Sequence, residues 1–398
     1  MGRGIAYSTT EAAHLLNVRA EGMSAWACTP DHFAKAFEAE GGSAQGFAQR
    51  RFFGRYLGEI LKEALASGWT RPIEATALSG HRNGEGWRVG LDDGSSVDAK
   101  ALVLAVGNQE PDALNAFSGV AQRLVRNPWG AESRAAVEDL ARTGGAVLLV
   151  GTGLTTVDLV LSLDAAGHQG RIVALSRRGL APRGHADFEP APVEQDSLPA
   201  GLRPMFRWLR RRSAEVGWRA AIDSLRPHSH PVWQGLNDGE QRRFLRHVRP
   251  WWDVHRHRIA PEVADIVARK VAEGRLEIVA GRIIAARETG NDIEVEYRRR
   301  GAKGSATENF AYAFNCTGPL HSMARSKDPL LRSLLDAGEV RPDNLGIGLD
   351  IDGTCRAGEH LWAMGPLTKG RYWEIIAVPD IAEQAAAVAE NIERELGK

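Results

Sequence analysis

Residues 146–158, AVLLVGTGLTTVD, constrain this chain more than any other stretch. The apolar run Ala146 to Val150 suits a strand buried on both faces, as in the middle of a parallel sheet. Gly151 permits a tight turn, and Gly153 lets the backbone approach a ligand with no Cβ in the way. A helix is predicted from Leu154 to Ala166, with Leu154, Val157 and Leu161 at helical spacing and Gly167 as its stop. Its first N–H groups and the positive end of its dipole then face the turn, where they hold negative charge. A strand follows over 171–176, about twenty residues beyond the turn. Strand, glycine turn, helix and strand at this spacing form a unit that grips a dinucleotide pyrophosphate, here through Gly151, Gly153, Leu154 and Thr155. Thr156 stands where a third Gly or Ala is usual, which predicts a looser contact between helix and strand.

The end of the second strand selects the nucleotide. An NAD site places Asp or Glu there to accept from the ribose hydroxyls, whereas this chain reads Ser176-Arg177-Arg178. Two guanidinium groups can fork onto a 2′-phosphate, so NADPH is the expected cofactor. The rival reading of the arginines is a solvated basic surface.

A length of 398 residues exceeds what one hydrophobic core usually fills, so two domains are expected. Lys plus Arg equals Asp plus Glu at 50 each, which leaves no global field to recruit nucleic acid or an acidic membrane. Cys28, Cys316 and Cys355 are far apart and form no CxxC pair. That pattern suits a reducing, cytoplasmic compartment and argues against a dithiol relay. No signal peptide and no membrane span are expected, because the longest apolar stretch contains two glycines and Asp158.

The chain echoes itself. Residues 86–107 give a strand, an Asp-Asp-Gly turn, a second strand, and an apolar strand ending at Gly107. Residues 275–318 repeat that grammar, with turns expected at Gly281 and Gly290-Asn291 and FAYAFNCTG as the closing strand up to Gly318. The predicted fold is α/β, with two nested Rossmann-like modules whose mostly parallel sheets carry β-meanders. The outer module is assigned to 1–135 and 310–398, the inner to 136–309. Only the inner copy shows its glycine turn, so the first βαβ unit of the outer module is expected to be missing. Apolar neighbours are then expected to be bared, with poor solubility or a partner chain filling the gap.

Residues 186–274 read as helices separated by Pro-rich breaks, inserted into the inner domain and able to cover an active site. This stretch and its entry hold His185, His228, His230, His247, His255 and His257. The two HxH pairs invite a metal, but they sit beside Arg and Pro with no carboxylate or cysteine cluster, so no metal is expected. The Arg207–Arg212 run with Trp208 reads as a solvated helix face rather than a nucleic-acid patch.

GRGIAYS at 2–8, HLLNV at 14–18, VLLVGTGLTTVD, ALSRRGLAPRGHA, FNCTGP and GPLTKGRYWEIIAVPDIAEQAA together resemble bacterial FAD/NAD(P)-binding proteins that include flavin-dependent urate hydroxylases. The resemblance implies FAD in the outer module and NAD(P)H in the inner one. It places Arg3, Gly4, Tyr7 and Asn17 along the FAD, and the strand ends at Gly107 and Gly318 beside it or at the domain crossover. Trp373 and Glu374, within 365–380, come near the flavin ring. It further implies a monooxygenase-type oxidoreductase, with hydride passing from NADPH to flavin and electrons on to oxygen and a small organic substrate. No catalytic acid or base emerges from spacing. The alternatives are a simple NADPH oxidase or reductase, a non-catalytic NADP-responsive sensor or scaffold, and a truncated, inactive flavoprotein; a homo-oligomer is compatible with all of them.

Overall fold

The computed structural model describes residues 2–320 and 322–397. The chain opens with a helical segment, α1 (Gly4–Tyr7), α2 (His32–Ala39) and α3 (Arg50–Ala66). Its aromatic residues build a small core of their own, with Phe33 against Phe53 at 4.9 Å and Tyr56 at 5.1 Å between ring centroids. A meander follows, β1 (Ala77–Asn83), β2 (Gly86–Leu91) and β3 (Ser96–Ala99), and then β4 (Leu102–Leu104). Leu102–Leu104 is the apolar strand expected before Gly107; β1 was not anticipated, since SGHRN lacks the β-branched residues that mark a strand.

The chain then enters the inner module through β5 (Leu124–Val125) and α4 (Ala131–Thr143). Next come β6 (Val147–Val150), α5 (Leu154–Ala165) and β7 (Ile172–Ser176), each within a residue or two of its predicted place. A helical insertion follows, α6 (Leu202–Val216), α7 (Trp218–Ser224), α8 (Ser229–Gln234), α9 (Asp238–Arg243) and α10 (Arg249–Arg256). α11 (Pro261–Ala272) belongs to the module itself: it is the crossover helix from β7 to its parallel neighbour β8 (Leu276–Thr289). β9 (Asp292–Arg299), β10 (Ala306–Phe310) and β11 (Tyr312–Asn315) complete the sheet, in the order β10-β9-β8-β7-β6-β11-β5.

Alternation along the strands explains the layers. Val147 and Leu149 of β6 face α4 and α5, packing with Leu140, Leu159 and Leu163. Leu148 and Val150 face the other way, against Ile293, Val295, Tyr297 and Phe310 of the meander. The parallel sheet is therefore covered on both sides, which is why its strands are apolar throughout.

Three expectations need correction. No turn occurs at Gly281: β8 runs through it, changing from parallel pairing with β7 to antiparallel pairing with β9. Glycine is needed there because a Cβ would stand 2.8 Å from the Arg298 carbonyl oxygen. FAYAFNCTG is not one strand; Phe310 ends β10 on the meander, and Tyr312 starts β11 between β6 and β5. The inner module also reaches beyond 136–309, because β5 at 124–125 and β11 at 312–315 pair within its sheet.

The chain returns to the outer module through α12 (Pro329–Asp336), β12 (Arg356–Gly358), β13 (Leu361–Ala363) and α13 (Val378–Leu396). β4 lies parallel to β13, and β12 pairs on its far side. Trp87, Leu104, Leu331, Leu334, Trp362 and Val388 tie meander, sheet and helices into one core. The meander, parallel pairing and covering helix of the inner module thus recur here, as the echo in the sequence implied.

Candidate dinucleotide site

The glycine turn sits where the inner sheet reverses direction. From β6 the chain moves to β7 on one side, while β11 and β5 lie on the other, so the carboxyl ends of β6 and β11 form a switch-point crevice. Gly151 occupies it with φ +130°, and a Cβ would come within 2.3 Å of the Cys316 carbonyl oxygen. Its glycine requirement comes from protein backbone, not from ligand.

Gly153 is placed differently. It is the N-cap of α5, no side chain caps the helix, and a Cβ placed there meets nothing within 4 Å. Open space in front of an uncapped twelve-residue helix fits a pyrophosphate. Thr156 is buried at 4% exposure, with its hydroxyl beside the Cys316 thiol. Burial pushes that thiol up to about 12.

The strand-end residues divide the work among themselves. The Ser176 hydroxyl lies 2.9 Å from the Thr152 hydroxyl and accepts the Gly179 N–H at 3.0 Å, so it shapes the turn. Thr152 also donates to the Leu180 carbonyl. Arg178 donates to the Arg246 and His247 carbonyls at 3.1 and 3.2 Å, fastening the insertion to the nucleotide sheet. Arg177 is exposed and makes no hydrogen bond or ion pair among the described residues. It alone of the pair has its fork free for a phosphate.

The residues placed along the flavin by resemblance are scattered. Arg3 lies over the face of α3 opened by Gly54 and Gly58, 3.6 Å from the Cβ position of each. Gly4 begins α1 at φ +66°, and Tyr7 packs edge-on to Phe53 at 4.6 Å. Asn17 offers its carbonyl to His185 Nε2 at 3.0 Å. Gly107 and Gly318 turn with φ +70° and +82° into open space. The loops they begin run side by side, with Asn315 donating to the Asp112 carbonyl at 2.9 Å and Ser326 to Gln109 Oε1 at 2.9 Å. The two glycines therefore mark the crossover between the modules.

Trp373 and Glu374 meet the helical insertion. The Trp373 ring stacks on Trp233 at 5.0 Å, and its buried Nε1 has no acceptor among the described residues. Glu374 is 6% exposed and held at φ +71°, an uncommon conformation for a non-glycine residue. Its carboxylate accepts from Arg256 Nε at 3.0 Å and from Trp252 Nε1, with His257 Nε2 at 3.6 Å. Burial lowers the Lys369 amine to about 8. The histidines of the insertion serve separate contacts: His228 Nε2 pairs with the Val193 carbonyl at 2.9 Å, His230 packs on Tyr372, and His255 Nδ1 reaches the Trp251 carbonyl at 2.7 Å.

The sequence reading missed the clasp that joins the N-terminal helices to α5. Arg50 Nη1 and Nη2 each lie 2.9 Å from one carboxylate oxygen of Asp158, with the two side chains only 10% and 7% exposed. Arg50 Nε donates to the Leu15 carbonyl at 3.0 Å, and His14 Nε2 lies 3.0 Å from the Asp158 carbonyl. The available signal was Asp158 itself, a carboxylate inside an apolar run that needs a buried cation.

NADPH fits these residues: an uncapped helix start for the pyrophosphate and a free arginine at the second strand end. For a flavin the chain offers the crossover glycines and the unpartnered Trp373 Nε1. Among the described residues there is no second strand and Gly-x-Gly turn leading into a helix.

Comparison with known proteins agrees with the fold. Residues 1–109 match a family model described as FAD-NAD(P)-binding. An uncharacterized protein of Mycobacterium tuberculosis (strain ATCC 25618 / H37Rv) is 22% identical over 428 residues, spanning 89% of this chain and 78% of that protein. The crystal structure of L-lysine 6-monooxygenase from Pseudomonas syringae superposes with TM-score 0.62 and 19% identity, covering 91% of this chain and 79% of its own. The ornithine N-hydroxylase of Kutzneria sp. 744, with reduced FAD, NADP+ and L-ornithine, superposes with TM-score 0.65 and 13% identity, covering 99% and 90%. The chain has the fold of these two enzymes. Their names concern lysine and ornithine, not urate.

Proposed function

We propose that this chain is a flavin-dependent NADPH oxidoreductase of the monooxygenase type, acting on a small organic substrate. The observation that carries the reading is Gly153, which opens an uncapped helix start into free space at the sheet's switch point. Gly153, Leu154 and Thr155 hold the pyrophosphate through backbone N–H groups, while Gly151, whose N–H is taken by the Leu175 carbonyl at 2.8 Å, makes the turn. Arg177 takes the 2′-phosphate, and Arg178 keeps the insertion against the sheet so that water is excluded from the nicotinamide side. Trp373 and Glu374 lock the other end of the insertion to the outer module. The cofactors, when bound, supply hydride transfer and the delivery of electrons to oxygen.

A disulfide reductase reading is disfavoured because all three cysteines are free and two of them are buried. The test is anaerobic addition of NADPH to protein supplied with FAD. Bleaching of the flavin supports the enzyme, whereas colourless protein that binds NADPH without retaining flavin supports a sensor.

A further inference from the structure

On the insertion lies a cleft of about 430 Å³, lined by α6 and the loop before it and by no residue of the nucleotide strands. Trp208, Arg211, Arg212 and Glu215 come together there because spacings of three, four and seven place them on one helix face. The facing loop contributes Val193, Glu194 and Ser197. Two bonds fix that loop: His228 Nε2 with the Val193 carbonyl at 2.9 Å, and Arg212 Nη2 donating to the Ala191 carbonyl at 3.4 Å. The cleft is therefore preformed.

Its cations are under-satisfied. The buried Nε of Arg212 has no partner among the described residues, and the contact of Arg212 Nη1 with Glu215 is long at 3.8 Å, where charge-assisted contacts are usually about 2.7–2.9 Å. Arg211 makes no hydrogen bond or ion pair among the described residues. Guanidinium groups in this state suit a carboxylate, which takes two parallel N–H donors. Trp208 supplies an aromatic wall for a flat apolar body. Glu194 and Glu215 balance the two arginines, so a polyanion such as inorganic phosphate or a nucleotide meets as much repulsion as attraction.

We propose that this cleft binds a small aromatic monocarboxylate, at a site separate from the dinucleotide. The ligand is either the organic substrate or an effector; the chemistry of recognition is the same.

The test is calorimetric titration of the full chain with benzoate, indole-3-acetate and inorganic phosphate. Saturable binding of the two carboxylates, with phosphate failing to displace them at equal concentration, is expected. Arg212→Met and Trp208→Ala should each weaken binding roughly tenfold or more, since each removes a charged hydrogen-bond donor or the stacking wall. Both should leave NADPH affinity unchanged. Arg211→Gln, at an exposed position, serves if either variant fails to fold, and should weaken binding in the same direction. Consumption of the carboxylate during aerobic NADPH oxidation identifies a substrate; binding without consumption identifies an effector. The proposal fails if neither carboxylate binds, if the folded variants bind as the native chain does, or if phosphate binds equally well.

Discussion

Replacing Gly153 by aspartate separates the helix start as a structural element from the helix start as a binding site. Gly153 has φ −86° and ψ −163°, which any residue adopts, and a Cβ there touches nothing within 4 Å. The new carboxylate caps the vacant N–H groups of α5. Over glycine, that change contributes a few tenths of a kcal/mol from capping and about 0.3–1 kcal/mol from the helix dipole. Gly153→Asp should therefore raise stability by roughly 0.5–1 kcal/mol, seen as a higher urea midpoint at unchanged m-value. The same carboxylate faces the pyrophosphate. Like charges about 4 Å apart repel by about 4 kcal/mol at an effective dielectric of 20, and screening at an open site reduces this severalfold. NADPH affinity, followed by calorimetry, should drop by about tenfold to a hundredfold. Gains in stability and losses in affinity of this kind have opposite signs, so a merely damaged protein cannot imitate them. Unchanged NADPH affinity in a stabilised variant would refute the reasoning.

Arg50→Met leaves the Asp158 carboxylate buried without its partner and should cost about 3–5 kcal/mol, while Arg50→Met with Asp158→Leu recovers most of that loss; urea unfolding of both variants checks it. His185 is held below its ordinary 6.5, at about 4, chiefly by burial. The unfolded chain therefore binds the extra proton first, and stability falls as pH drops from 6.5 towards about 4; His185→Gln should flatten that part of the melting profile. A thiol alkylating reagent at neutral pH should label Cys28, which is exposed, and spare Cys316, whose buried thiol is pushed up to about 12; peptide mass analysis reads the outcome.

Much of the inner module was legible because its signals are local. An apolar run, two glycines and helical spacing place β6, α5 and β7 to within a residue or two. Gly281 misled because a glycine inside a strand and a glycine in a turn look alike; only the neighbouring Arg298 carbonyl shows which is present. The sequence sets Arg177 and Arg178 side by side, but the carbonyls that Arg178 bonds come from residues 246 and 247, far along the chain, so that contact had no local signal. Trp373 and Glu374 were singled out by resemblance, but their partners Trp233, Trp252 and Arg256 lie in the insertion, where no local pattern announces the pairing. Asp158 in its apolar run signalled a buried cation, but Arg50 lies 108 positions away, so the partner was not legible.

The central claim is that the pyrophosphate of NADPH rests on the first backbone N–H groups of α5. Amide hydrogen exchange of the native chain with and without NADPH measures this where it happens. Slower exchange across residues 153–156, with no comparable change at the β4 turn around Gly107, is the predicted result. NADPH binding that leaves the amides of 153–156 exchanging at their free rate would contradict it.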